Sequence, residues 1–499
     1  MATSSRARGA ARRGRPGSAR VLIGLLVVLG IVAAAIPTGL FVLPGLLPSG
    51  VLARNPPASA APSTNPAAVP AQGTPTALAV PADASSAPAP APTGVAAALA
   101  AAQASTPTGI DVSAAVLDAA TGRAVYQDAA AEPRIPASNL KLLSSLAVLA
   151  TLDPRQRITT TAVRGSRTGD VVLVGAGDVM LGAGASDPDA TMGHAGLRTL
   201  AERTAASLRA AGVRGTVRVS VDTSRFTGPV LNPAWQDGDV AAGEIGPVTP
   251  LALYSGHTRA DAAPGERPAD PAVAAGEAFA AALRVALAAT AGSATDVAPT
   301  VTRAAAAPAV DGGRLGAVDS ATVGEQVRWL LDHSDNDVAE ALTRVAAHAA
   351  GAPTDPAGAA RFVRDTVARL GLSVDGLVVT DASGLADTNR VGAATLAGAV
   401  RRAVVDERFA DAAAGLPIAA LTGTLAERFD DPGDAAGAGV VRAKTGTLNA
   451  ASTLSGYVVD RDGRLLVFAF MAANPPGSTA AARAALDRAA AALAGCGCR

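Results

Sequence analysis

Lysine is almost missing from this chain. Lys141 and Lys444 are its only two, against forty arginines. Lysine is ordinarily among the commonest residues, so the chain accepts arginine wherever a positive charge alone suffices. The two lysines are therefore candidates for work that arginine cannot do. A guanidinium does not lose its proton near neutral pH, and it is larger and planar. Aromatic residues are also scarce, at 3%, so the core has to be built from Ala, Val and Leu. The two cysteines, Cys496 and Cys498, stand at the extreme C-terminus. So few exclude a disulfide-built scaffold; a tight ring, a terminal bridge and a dispensable tail all remain open for them. The four histidines, His194, His257, His333 and His348, are dispersed without a His-Glu-x-x-His pattern, and no Gly-x-Ser-x-Gly elbow occurs. These absences argue against a metal site of that kind and against an α/β-hydrolase esterase. No metal or other cofactor is expected. The formal net charge is zero, and no basic cluster lies beyond the N-terminal tail, so nucleic acid is not an expected partner.

What is present is unevenly distributed. Six arginines and no acid stand in residues 1–20; the remainder carries 36 basic and 42 acidic residues. Residues 21–47 are uncharged and mostly apolar, which is long enough to span a bilayer. The preceding positive charge predicts an N-terminus held in the cytoplasm and a chain exported beyond it. The span is an anchor, or a signal segment if the small residues 33–35 are cleaved. Residues 48–93 form a Pro/Ala-rich linker; ten of the 34 prolines fall in 56–93. Extended at ~3.1 Å per residue, that stretch would reach on the order of 100 Å.

Folded patterning begins near residue 94. Alternating residues around Thr121-Gly122 predict a hairpin, and 138–152 reads as an apolar helix. From 157 to 318 short β segments and one Ala-rich helix, 272–289, read as an insertion. Thr322-Val323-Gly324-Glu325 is a capping box opening a helical stretch to 351. A hairpin turning at Asp460-Arg461-Asp462-Gly463 and a final helix, 478–493, close the chain. The expected class is α+β: an antiparallel sheet covered by helices, assembled from 94–156 and 319–499, with 157–318 inserted.

Three short motifs carry chemistry. Ser138 precedes Lys141 by three residues, so a hydroxyl and an amine share one helix face. That pairing suits a serine activated by a neutral lysine, and Ser138 lies at the positive end of the helix dipole. Alone the motif is weak, since serine at a helix start is ordinarily a cap. Ser334 and Asn336 are two apart, and both can face one cleft only if the backbone bends between them. Lys444-Thr445-Gly446-Thr447 precedes the last hairpin; on a strand Lys444 and Gly446 share a face, and glycine permits close approach. Both lysines of the chain fall in these motifs, a coincidence on the order of one in a thousand at ordinary frequencies.

In this order the motifs resemble the signature of penicillin-binding proteins and serine β-lactamases. Ser138 and Ser334 are 196 residues apart. An insert of that size is similar to the D-alanyl-D-alanine carboxypeptidase/D-alanyl-D-alanine-endopeptidase family, low-molecular-mass penicillin-binding proteins with extra domains. Residues 136–143 (PASNLKLL), 169–178 (GDVVLVGAGD), 333–341 (HSDNDVAEA), 381–391 (DASGLADTNRV) and 444–448 (KTGTL) look like that family too. The resemblance spans roughly 94–499. One departure is Asp178-Val179, where the family usually has Asp-Pro.

The resemblance implies a penicillin-binding core and a carboxypeptidase that trims peptidoglycan stem peptides through an acyl-enzyme. Ser138 would be the nucleophile, Lys141 its base and Ser334 a proton relay. Asn336 would hold the substrate amide. Lys444 and Thr445 would bind the terminal carboxylate, beside Gly446. Thr447 and Ser138 would donate backbone N–H groups to the oxyanion. Ser383 and Gly384 would line the cleft with Arg390 near it, and His333 would stay on a helix surface. β-Lactams would acylate Ser138. The pKa of Lys141 would be lowered by burial and by the charge of Lys444. A β-lactamase or esterase on the same core, and an inactive penicillin-binding scaffold, are the competing readings. Lys141→Arg should abolish labelling of Ser138 by a fluorescent penicillin, whereas Lys444→Arg should leave a weakened remnant.

Overall fold

A computed structural model describes residues 87–104, 109–263, 265–289, 295–304, 313–473 and 477–498. The basic tail, the apolar span and the linker up to residue 86 lie outside the described residues.

The predicted hairpins form, and they join into one sheet. β1 (Asp111–Asp118) and β2 (Ala124–Asp128) turn at Gly122, whose φ of 75° suits glycine. β12 (Ala451–Val459) and β13 (Leu465–Ala473) turn at Gly463. With β11 (Arg442–Leu448) they make an antiparallel sheet in the order β11-β12-β13-β1-β2. Strand β13 is apolar throughout because both faces are covered. Leu465, Val467, Ala469 and Met471 face a core that includes Leu396 and Val400 of the helix Ala393–Val405. Leu466, Phe468, Phe470 and Ala472 face a second core, built with Leu99 of Pro92–Gln103 and Leu486 of Thr479–Ala494. Period-two alternation thus feeds two helical layers from one strand.

A separate core fills the region between the first two motifs. β3 (Arg157–Arg164), β4 (Asp170–Val174), β6 (Gly215–Asp222), β8 (Thr295–Val297), β9 (Thr302–Arg303) and β10 (Arg314–Thr322) form its sheet, ordered β10-β3-β4-β6-β8 with β9 also on β6. The region is less purely β than its sequence suggests. The β4–β6, β6–β8 and β6–β9 pairs are parallel, and parallel neighbours need crossovers. The helix Leu197–Ala210 lies between β4 and β6 in the chain and buries Leu197, Leu200, Ala201, Thr204, Ala205 and Leu208. Its spacing of three and four residues was the available helical signal. The helix Pro271–Ala288 is apolar and long enough to cross a bilayer, yet it packs Phe279, Leu283 and Leu287 into this core. A short parallel pair, β5 (Asp178–Leu181) with β7 (Leu251–Leu253), stands apart from that sheet.

β10 runs directly into the capping box. Thr322 accepts from the Glu325 amide while Glu325 accepts from the Thr322 amide. The helical stretch from Thr322 is not continuous, however. It divides into Val323–Asp332 and Asn336–Ala349, because Ser334 takes a φ of 59°. At the C-terminus, Cys496 and Cys498 pair with each other, and the Cys498 carbonyl accepts the Ala91 amide at 2.5 Å. Phe470 is fully buried beside Phe468, ring centroids 5.0 Å apart. Phe470→Ala should cost about 3–5 kcal/mol, read as a lowered denaturation midpoint in urea.

Candidate active site

The site begins with a turn, not a capped helix. Residues Ala137–Asn139 form a 3-10 turn leading into Leu140–Leu149, and no side chain caps this start. Ser138 therefore keeps its hydroxyl free of the capping role that serine usually has there. Ala137, immediately before it, has a φ of 46°, an uncommon conformation for alanine. Lys141 lies one turn later and is fully buried. Its Nζ donates to Ser138 Oγ at 3.0 Å, to Asn336 Oδ1 at 2.6 Å and to the Ser383 carbonyl at 2.7 Å. Three acceptors match the three donors of an ammonium.

The bend required between Ser334 and Asn336 is present in the left-handed φ of Ser334. Asp335 then caps the next helix, its Oδ1 accepting the Val338 amide at 3.0 Å. Ser334 Oγ accepts from Lys444 Nζ at 2.9 Å. Lys444 also donates to the Thr445 carbonyl at 2.8 Å.

The Lys-Thr-Gly strand β11 is the outer strand of its sheet. The Ala443 amide points away from β12, to the Pro417 carbonyl at 3.0 Å. Strand alternation gives Thr445 and Thr447 the same outward-facing amides. Thr445 Oγ1 lies 2.8 Å from Thr424 Oγ1, a hydroxyl partner the sequence did not signal. Gly446 leaves room for the chain itself. A Cβ there would lie 2.2 Å from Thr453 Oγ1 and 3.0 Å from Asn139 Nδ2. These groups pin the Ser138 turn to the sheet. Asn139 Nδ2 donates to Thr453 Oγ1 at 2.6 Å and to the Lys444 carbonyl at 3.2 Å, and Thr453 donates to the Pro136 carbonyl at 2.8 Å.

The 381–391 stretch also reaches the site. Ser383 contributes its carbonyl to Lys141. Gly384 has φ 83°, and a Cβ on it would lie 2.0 Å from the Ala137 carbonyl. Arg390 does not join them. Its guanidinium donates to the carbonyls of Asp387 and Asn389 in its own loop. His333 is exposed and stacks on Trp329 at 3.8 Å, outside the cluster.

Residues between the first two motifs buttress the site, which short-motif reading does not reveal. The Glu244 carbonyl accepts Asn336 Nδ2 at 2.8 Å, and Ser255 Oγ donates to Asp335 at 2.6 Å. Arg267 pairs with buried Asp337 at 3.0 Å. Trp235 Nε1 donates to Asp381 Oδ2 at 2.9 Å and Asn232 Nδ2 to the Thr380 carbonyl at 2.9 Å.

Burial lowers Lys141 to about 8, opposed by the charges of Asp381, Asp335, Glu340 and Glu244. Burial, then the charge of Lys141, holds Lys444 well below the ordinary lysine range. The expected repulsion between the two therefore acts on Lys444. Four carboxylates surround Lys141, whereas Asp332 is the acid that offsets Lys444. An amine at about 8, within hydrogen-bond reach of a hydroxyl, is poised to take its proton near neutral pH.

A helix-covered antiparallel sheet with Ser-x-x-Lys, Ser-x-Asn and Lys-Thr-Gly joined in one hydrogen-bonded cluster defines a serine acyl-transfer enzyme of the penicillin-binding class. Comparison with known proteins narrows this. The profile of the D-Ala-D-Ala carboxypeptidase 3 (S13) family matches residues 95–304 and 269–494. A carboxypeptidase DacB of Mycolicibacterium smegmatis is 36% identical, over 84% of this chain and 87% of that protein. A D-alanyl-D-alanine carboxypeptidase of Actinomadura sp. is 30% identical, over 70% of this chain and 75% of its own. The fold matches the crystal structure of penicillin binding protein 4 (dacB) from Haemophilus influenzae with a TM-score of 0.62 at 16% identity, covering 78% of this chain and 97% of that one. The chain belongs to the D-Ala-D-Ala carboxypeptidase 3 (S13) family and is a serine-type D-Ala-D-Ala carboxypeptidase.

Gly446→Ala should lower the acylation rate at least about tenfold by driving Thr453 off Asn139. Adding Thr453→Ala should cost little more, because both changes break one staple; stopped-flow penicillin labelling of both variants measures this.

Proposed function

We propose that the chain removes the terminal D-alanine of peptidoglycan stem peptides through an ester on Ser138. The 3.0 Å bond between Lys141 Nζ and Ser138 Oγ, made by a fully buried lysine, carries this reading. Neutral Lys141 takes the Ser138 hydroxyl proton as Oγ attacks the carbonyl before the last D-alanine. Negative charge developing on that oxygen is met by the Ser138 and Thr447 amides. As the peptide bond breaks, Ser334 passes its hydroxyl proton to the leaving amine and takes one from Lys444, whose Nζ donates to its Oγ at 2.9 Å. Lys444 and Thr445, with Thr424 behind, receive the terminal carboxylate, and Gly446 keeps their strand tight on the Ser138 turn. An arriving carboxylate favours the ammonium of Lys444, and that charge in turn favours neutral Lys141. Asn336 orients Lys141 and has amide capacity left for the substrate backbone. Water then hydrolyses the ester. A β-lactam enters the same first step: its amide C–N bond breaks, the ring opens, the freed nitrogen takes the proton and stays tethered, and the opened acyl group remains on Ser138 as a slowly hydrolysed ester. Cross-linked stem peptides, which also present a bond after D-alanine, are a second substrate class.

The remaining organisation follows the same reading. Residues 94–156 and 319–499 make the catalytic domain and 157–318 an inserted one. Residues 21–47 hold the chain at the membrane, with the linker carrying the enzyme into the wall; cleavage would release it.

Activity should follow the neutral form of Lys141. Below about pH 8 the rate of Ser138 acylation should fall towards tenfold per unit, and above it should level. Fluorescent-penicillin kinetics and D-alanine release from a stem pentapeptide test this together. Stable label lost in Ser138→Ala, with D-alanine release, supports the proposal. Rapid penicillin turnover indicates a β-lactamase, and label without release indicates a scaffold.

A further inference from the structure

The Ser383 carbonyl is the acceptor of Lys141 that belongs to neither the Ser-x-x-Lys nor the Ser-x-Asn motif, and two buried carboxylates hold its loop. Glu340 Oε1 accepts the amides of Ala382 at 2.8 Å and Ser383 at 2.9 Å. Asp381 Oδ1 accepts the next amide, Gly384, at 2.9 Å. Three successive peptide groups are thus gripped, and Ser144 Oγ donates to the Ala382 carbonyl at 2.6 Å. Glu340 is 1% exposed. It lies four residues after Asn336 on the helix Asn336–Ala349, so the two share a face. Asn336 bonds Lys141 directly, and Glu340 reaches it through the loop.

We propose that Glu340 is a positioning residue: by gripping the Ala382 and Ser383 amides it aims the Ser383 carbonyl at Lys141 and fixes the direction of the amine towards Ser138. This rests on Lys141 acting as the base. The charge of Glu340 has a second effect. It favours the ammonium form of Lys141, together with Asp381, Asp335 and Glu244 and against burial, while the neighbouring Lys444 is the lysine that their repulsion holds down. Glu340 itself faces Asp381 and Arg344; burial and then the charge of Asp381 raise it, opposed by Arg344 and the Ala382 and Ser383 hydrogen bonds. Two amide donors and the charge of Arg344 favour its carboxylate form. Glutamine can accept the same two amides without the charge, whereas alanine can accept neither.

The test is the pH dependence of Ser138 acylation by fluorescent penicillin, using the full chain in detergent. Glu340→Gln should keep a plateau rate within about threefold and move the acid limb down by about one pH unit. Glu340→Ala should lose at least about thirtyfold on the plateau, in protein whose circular dichroism matches the parent. A purely structural glutamate would change the yield of active enzyme without moving the limb. An unmoved or raised limb in Glu340→Gln overturns the proposal, whether or not Glu340→Ala folds, as does an alanine variant within twofold of the parent. If the parent itself shows no Ser138 label, the reading of Lys141 as base fails first, and that outcome is separate.

Discussion

Everything at this site depends on burying the amine of Lys141 without leaving it unsatisfied. An isolated buried ammonium is prohibitive, and burial lowers its proton affinity. The protein meets this with one acceptor for each N–H: Ser138 one turn back, and, from distant segments, Asn336 after the second sheet and the Ser383 carbonyl in a loop further on. Four carboxylates hold the affinity up against burial. The balance is a lysine at about 8, where a proton is held loosely enough to leave and return. Arginine could fill neither the space nor the role.

The arginines show the converse. Where a buried or half-buried cation only has to bind, the chain uses Arg: Arg464 on Asp118, Arg428 on Asp487 and Arg267 on Asp337. A planar fork suits a carboxylate with two oxygens. These pairs brace the frame; Arg464 ties β1 to the β12–β13 turn, and Arg267 secures the helix that begins at Asn336. Under the proposed mechanism, compositional bias thus separates structural cations from those that exchange a proton or sit beside one that does.

The long segment between the motifs has two characters. Its outer part is a mixed sheet with a core of its own. Residues 232–267 instead lie against the catalytic loops, through Trp235 on Asp381, Glu244 on Asn336 and Ser255 on Asp335. Pre-organisation of this kind matters because a catalytic group displaced by about an ångström can cost a hundredfold in rate.

Much of this was legible in the one-dimensional pattern. Period-two runs around Gly122 and Gly463 specify the hairpins, the Thr322 box specifies a helix start, and the two lysines mark the chemistry. Each is a local rule in which side-chain period or capping geometry decides within a few residues. The helix Leu197–Ala210, the parallel pairs and the break at Ser334 were less legible. Tertiary structure alone decided that Gly446 seats Asn139 and Thr453 and that Glu340 holds the loop behind Lys141. Contacts between residues tens to hundreds of positions apart have no period. They exist only once burial has chosen which polar groups must satisfy one another.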